Sequence, residues 1–146
     1  MASPGMIDLT KLLASMTPTL DSGTYVFCTT SLDRLGDIAN IDALQMVFRE
    51  AEGWTTILPQ HKADELAFSS AFPCKKITLN VHSSLDAVGF IATIARKLAE
   101  LEIGVNPVSG FYHDHLFIPV GKEGEVMTSL HSMAEQAKRE MVEGAT

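Results

Sequence analysis

"KKITLNVHSSLDAVGFIATIARKLAELEIG", Lys75 to Gly104, changes its hydrophobic period partway through. Over 75–82, Ile77, Leu79 and Val81 alternate with Thr78, Asn80 and His82, the period of a strand with one buried face. Beyond it, Ala87, Ile91, Ile94, Leu98 and Leu101 recur at helical spacing, with Arg96, Lys97 and Glu100 outside that set. Ser83, three residues before Asp86, predicts a capping pair at the helix start, and Gly104 predicts its stop. A strand feeding an amphipathic helix is the beginning of a layered αβ unit.

Downstream, "VNPVS" (105–109) and "HDHLFIP" (113–119) read as short strands around a turn near Gly110. A closing helix from about Lys122 to Met141 sets Val126, Leu130, Met133 and Ala137 on one face. Glu123 and Glu125 at its start and Lys138 and Arg139 near its end suit the helix dipole. Upstream, 7–16 predicts a short helix with Leu9, Leu12, Leu13 and Met16 on one side, followed by Pro18. "TYVFCTT" (24–30) predicts a strand, 31–42 is polar and irregular, and 44–59 reads as a hairpin turning at Glu52-Gly53. A short helix over 60–68 ends before Pro73.

The two halves echo each other. "ILPQHKADEL" (57–66) aligns without gaps on "FIPVGKEGEV" (117–126), matching Pro59 with Pro119, Lys62 with Lys122 and Glu65 with Glu125. Each copy is a strand stopped by proline and followed by a helix start, which points to an internal duplication. The expected class is α+β: two tandem ferredoxin-like βαββαβ units, 1–72 and 73–146, with antiparallel sheet and helices on one face. Two such units need eight strands and about six can be placed. Either 75–82 completes one unit while opening the other, or a second chain supplies the edge.

Composition narrows function. The 146 residues carry 11 basic and 18 acidic side chains, a formal charge of −7, and no Lys/Arg stripe suited to nucleic acid. The first twenty residues lack the basic and apolar regions of a signal peptide, and no run is long enough for a membrane span. Cys28 and Cys74 are far apart and belong to no CxxC pair, so free thiols in a reducing cytoplasm are expected. No cofactor is called for.

Taken together, "NVHSSLDAVGFIATIARKLAELEIGVNPVSGFYHDHLFIPV" resembles an ACT domain, the βαββαβ module that senses amino acids in regulated metabolic enzymes. With the upstream "GTYVFCTT", "GVNPVSGFYHDHLFIP" is similar to small stand-alone bacterial proteins with two ACT-like halves and no established activity. The strand-to-helix loop resembles that of aspartate-kinase regulatory domains, whose glycine, matched here by Gly89, admits the effector. The resemblance implies an amino-acid-like ligand, a homodimer or larger homo-oligomer, and no catalysis by this chain. Physically, N–H groups at a helix start attract a carboxylate, Gly89 in the first turn removes an obstructing side chain, and Asp86 can meet an ammonium. The same residues also suit simple packing and helix initiation.

"FYHDHLFIP" draws attention for its histidines. Alternation puts His113, His115 and Phe117 on one sheet face and Asp114, Leu116 and Ile118 on the other, with Leu116 and Ile118 toward the helices. His113 and His115, with His82 as a third, have ligand chemistry for a divalent ion, but no HExxH-type motif accompanies them. Ser83 or Ser84 with a histidine and Asp114 makes a superficial hydrolase triad without a nucleophile elbow. Ligand lining and a subunit or half-domain interface remain the main readings for this strand. The expected site is therefore Ser83, Ser84, Leu85, Asp86, Val88, Gly89 and Phe90 on one side, with Asn106, His113, Asp114 and His115 on the other. The alternatives are a dimerisation module or a metal-dependent hydrolase.

Overall fold

The computed structural model describes residues 8–144. Its elements are α1 (Leu9–Ser15), β1 (Thr17–Leu20), β2 (Tyr25–Thr30), α2 (Leu35–Ile38), β3 (Met46–Arg49), β4 (Trp54–Pro59), α3 (Gln60–Glu65), β5 (Ser69–Asn80), α4 (Phe90–Glu100), β6 (Asn106–Ser109), β7 (Asp114–Pro119) and α5 (Glu123–Gly144). The described residues form two compact units: 22–75, and 8–21 together with 76–144.

Both units repeat one topology. In the contiguous unit the strand order is β3-β4-β2-β5; in the discontinuous one it is β6-β7-β5-β1. Each order is second, third, first and fourth strand of a βαββαβ unit, so the fold is α+β with tandem ferredoxin-like units. The missing strands come from two sources. β5 is shared along its length: Ser69 to Cys74 pair with β2, and Ile77 to Asn80 pair with β1. β1 is the strand that no sequence pattern disclosed, because Pro18 interrupts it; proline is tolerated there since β1 pairs only with β5 and is an edge. No second chain is needed to complete either unit.

The expected division at 72/73 falls inside β5, the strand that both units use. Residues 8–21 fold with the second half rather than the first, because β1 pairs antiparallel with the second part of β5. The short helix α3 does end before Pro73, which sits not at its end but within β5. The β2–β5 register shifts there, and Phe72 has φ +60°, the signature of a bulge that accommodates a residue lacking an N–H. Pro59 and Pro119 close β4 and β7, which occupy the same topological position in their units. The helix that follows starts at once in α3 and after a turn at Gly121, φ +97°, in α5.

Burial explains which face each strand presents. In the discontinuous unit Ile77, Leu79 and Val81 of the 75–82 segment and Leu116 and Ile118 of β7 pack with Leu12, Phe90, Ile94, Leu98, Val126 and Leu130. The helices thus cover one sheet face. In the contiguous unit Val26, Cys28 and Leu58 meet Ile38, Ala63 and Phe68. Ile38 belongs to α2, a single turn inside the stretch read as irregular; its brevity and Gly36 left no periodicity to find. Trp54 packs on this core and donates its indole N–H to the Leu32 carbonyl at 2.9 Å.

The principal helix also begins and ends differently from its expected limits. α4 starts at Phe90, seven residues after Ser83, so Ser83 and Asp86 form no capping pair and Gly89 is the N-cap rather than a first-turn residue. It ends before Gly104. Glu102 takes φ +58°, and bonds run from Ile103 N–H to Leu98 O (3.0 Å) and from Glu102 N–H to Ala99 O (2.9 Å), a Schellman stop. Buried Ile103 and Leu98 supply its apolar contact.

Candidate functional site

The segment between β5 and α4 is held by its own serines. Asp86 N–H donates to Ser84 Oγ at 3.1 Å and Ala87 N–H to Ser84 O at 3.0 Å, a tight serine turn. Ser83 faces inward and donates from Oγ to Asp114 Oδ2 at 3.0 Å. Both residues are buried, at 6% exposure each. A carboxylate removed from water is costly unless bonded, and this hydroxyl satisfies only part of its acceptor capacity.

Gly89 shapes the opposite wall. Its φ is +91°, a conformation that a side-chain-bearing residue adopts only with strain, and it provides no side chain to cap α4. The first-turn N–H groups of α4 consequently lack intrahelical acceptors, and the helix dipole adds positive potential there. A cavity of about 170 Å³ lies against both groups, lined by Ser83, Ser84, Leu85, Ala87, Gly89, Phe90, Ile91, Ala92, Ser109 and Asp114. Its volume is below the roughly 300–1,000 Å³ usual for drug-sized ligands, so it suits a small metabolite.

The structure therefore brings together Ser83, Ser84, Leu85, Gly89, Phe90 and Asp114 of the expected set. Asp86 and Val88 are exposed and absent from the lining. Asn106, His113 and His115 are also absent from it, for a reason of register. Ser109 is directly opposite Asp114 and shares its sheet face, whereas Asn106 pairs with Phe117 and Val108 with His115. Asn106, His113 and His115 thus belong to the face opposite Asp114. Ala87, Ile91, Ala92 and Ser109 lie outside the expected set: Ser109 needs the hairpin register, and Ala87, Ile91 and Ala92 need the true onset of α4.

The histidines form a string of ring contacts, His82 to Tyr112, Tyr112 to His113 and His113 to His115, rather than one cluster. His115 Nδ1 lies 2.9 Å from Thr78 Oγ1, and burial, then the charges of Lys76 and His113, lower its pKa against an opposing effect of Asp114. The His113 and His115 rings are 6.3 Å apart. His82 instead stacks near Tyr112 and Phe111, with centroids at 5.3 and 6.3 Å. Among the described residues no group of three or more His, Cys, Asp or Glu is placed to hold a metal ion. Ser83 donates directly to Asp114, so no imidazole links them as a hydrolase triad requires.

This fold and loop define a class. ACT-domain family models match residues 4–75 and 71–132, overlapping within the shared strand, and the chain belongs to the ACT-domain family. It is similar to a structure from Vibrio cholerae described as a protein of unknown function and possible transport protein. That match has 40% identity and a TM-score of 0.77, covering 86% of this chain and 95% of the other. An Agrobacterium tumefaciens protein shares the fold at 15% identity and a TM-score of 0.69, covering 82% and 89%. The regulatory subunit of aspartate kinase from Thermus flavus does so at 9% and 0.57, covering 81% and 97%. No match was found among curated proteins. Family membership supports a small-molecule-binding, regulatory role. No helix among the described residues is long and apolar enough to cross a membrane.

Proposed function

We propose that the chain is a non-enzymatic sensor of a free amino acid or similar small zwitterion, working in the cytoplasm as a homo-oligomer. One observation carries the ligand assignment: a small cavity has the buried Asp114 carboxylate on one wall and the uncapped N-terminus of α4 on another. An α-ammonium matches the remaining acceptor capacity of Asp114. An α-carboxylate matches the first-turn N–H groups beyond Gly89. Asp114 takes the ammonium role first assigned to Asp86, which is exposed. Histidines 113 and 115 fall outside the ligand shell.

Thermal-shift titration with each proteinogenic amino acid tests the reading. A ligand at 100 times its Kd stabilises the native state by about 2.7 kcal/mol. No shift with any amino acid at millimolar concentration sinks the proposal.

A further inference from the structure

The helix face of the discontinuous unit carries a groove unrelated to the small cavity. A hollow of about 560 Å³ between α4 and α5 is lined by Lys97, Leu101, Thr128 and Ser129 among others. A second of about 470 Å³ continues along α5 past Met133 and Gln136, and the two share Lys97 and Ser132. From Gly124 to Glu140 the groove follows α5 for roughly 24 Å at 1.5 Å per residue. Ser129, 7% exposed, lines it with a buried hydroxyl that has no hydrogen-bond partner among the described residues. Small side chains at Gly124, Thr128 and Ser132 let another helix come close.

Of the four charged residues lining this groove, Lys97, Glu125, Arg139 and Glu140, one oppositely charged pair is placed symmetrically along α5. Glu125 and Arg139 are both exposed and stand seven residues on either side of Ser132, on one face because seven residues are nearly two helical turns. We infer that a second copy of this chain docks here, α5 against α5, antiparallel about a two-fold axis near Ser132. Glu125 of each copy then meets Arg139 of the other, and Thr128 approaches Gln136. Arg139 already donates to Gln136 at 2.7 Å, yet a guanidinium has donors left for a carboxylate. Parallel docking would oppose Glu125 to Glu125, so the pattern favours the closed, isologous arrangement. Leu101, 43% exposed, provides apolar area beside this charged frame.

The inference specifies the surface for the assembly reading above and is independent of the ligand. Its test is sedimentation of the full chain without ligand over a concentration series. The single changes Glu125→Arg and Arg139→Glu each place like charges together twice per dimer and are expected to raise the dimer Kd about tenfold or more. Combining them should restore dimerisation, with circular dichroism showing that every variant is folded. A dimer indifferent to the single reversals, or one not restored by the double change, overturns this face and leaves the assembly reading standing. A monomer at every concentration overturns both, even if an amino acid still binds.

Discussion

Ser83 and Asp114, 31 residues apart in the chain, meet through one buried hydrogen bond of 3.0 Å from Ser83 Oγ to Asp114 Oδ2. Ser83→Ala should cost about 1–3 kcal/mol in urea unfolding because it leaves a buried carboxylate without its donor. Asp114→Asn keeps an acceptor for the serine but removes the charge, so it should remain folded while losing any amino-acid thermal shift. An unchanged shift in Asp114→Asn would mean that the ammonium lies elsewhere.

Gly89 sets the approach to α4. An added Cβ would lie 3.6 Å from Leu9 Cδ2, an ordinary contact, so the penalty for Gly89→Ala comes from backbone conformation at φ +91°. The expected loss is about 1–2 kcal/mol, read from the denaturation midpoint, with weaker ligand response as the cavity wall shifts. Equal stability would show that this residue does not hold a left-handed conformation in solution.

His115 should make folding sensitive to mild acid. Burial, Lys76 and His113 keep its folded pKa below 6.5, so the unfolded chain takes up the proton first as pH falls. Its contribution is full above about pH 6.5 and is lost as pH drops through the folded value. Unfolding free energies at about pH 7.5 and 5.5 should differ less in His115→Gln than in the native chain. An identical difference in both proteins would assign the acid sensitivity to other groups.

The two cysteines should resist thiol reagents until the protein unfolds. Burial raises the Cys28 thiol, with Asp64 adding to the effect and Thr56 opposing it, and pushes Cys74 up to about 11. Both are buried and free. A colorimetric thiol titration should find slow reaction in the native state and two equivalents in denaturant, since the thiolate is the reactive form. Rapid labelling of the native protein would contradict the packed positions.

The α+β class, the duplication and most core strands were legible because alternation and helical spacing reflect a single burial direction. What escaped depended on partners distant in sequence. β1 contains Pro18 and is recognisable only beside β5. The first part of β5 is disguised by Pro73 and the Phe72 bulge. Ser83 looked like a helix cap because capping and tertiary bonding use the same hydroxyl; only the fold shows it given to Asp114. For the site, the 83–90 segment was readable as a loop near a glycine. In the HDH strand the sequence offers His113, Asp114 and His115 alike, and only the sheet register shows that Asp114 alone faces the cavity.

The shared strand also dictates an order of events during synthesis. Residues 22–75 contain every strand of their own sheet and can close it as soon as Cys74 has emerged. β1 is made earlier yet must wait, because Thr17 pairs with Asn80 and Leu20 with Ile77. Such a long closure is slow to form. β1, although made before the inserted half, can thus take its place only after that half is complete.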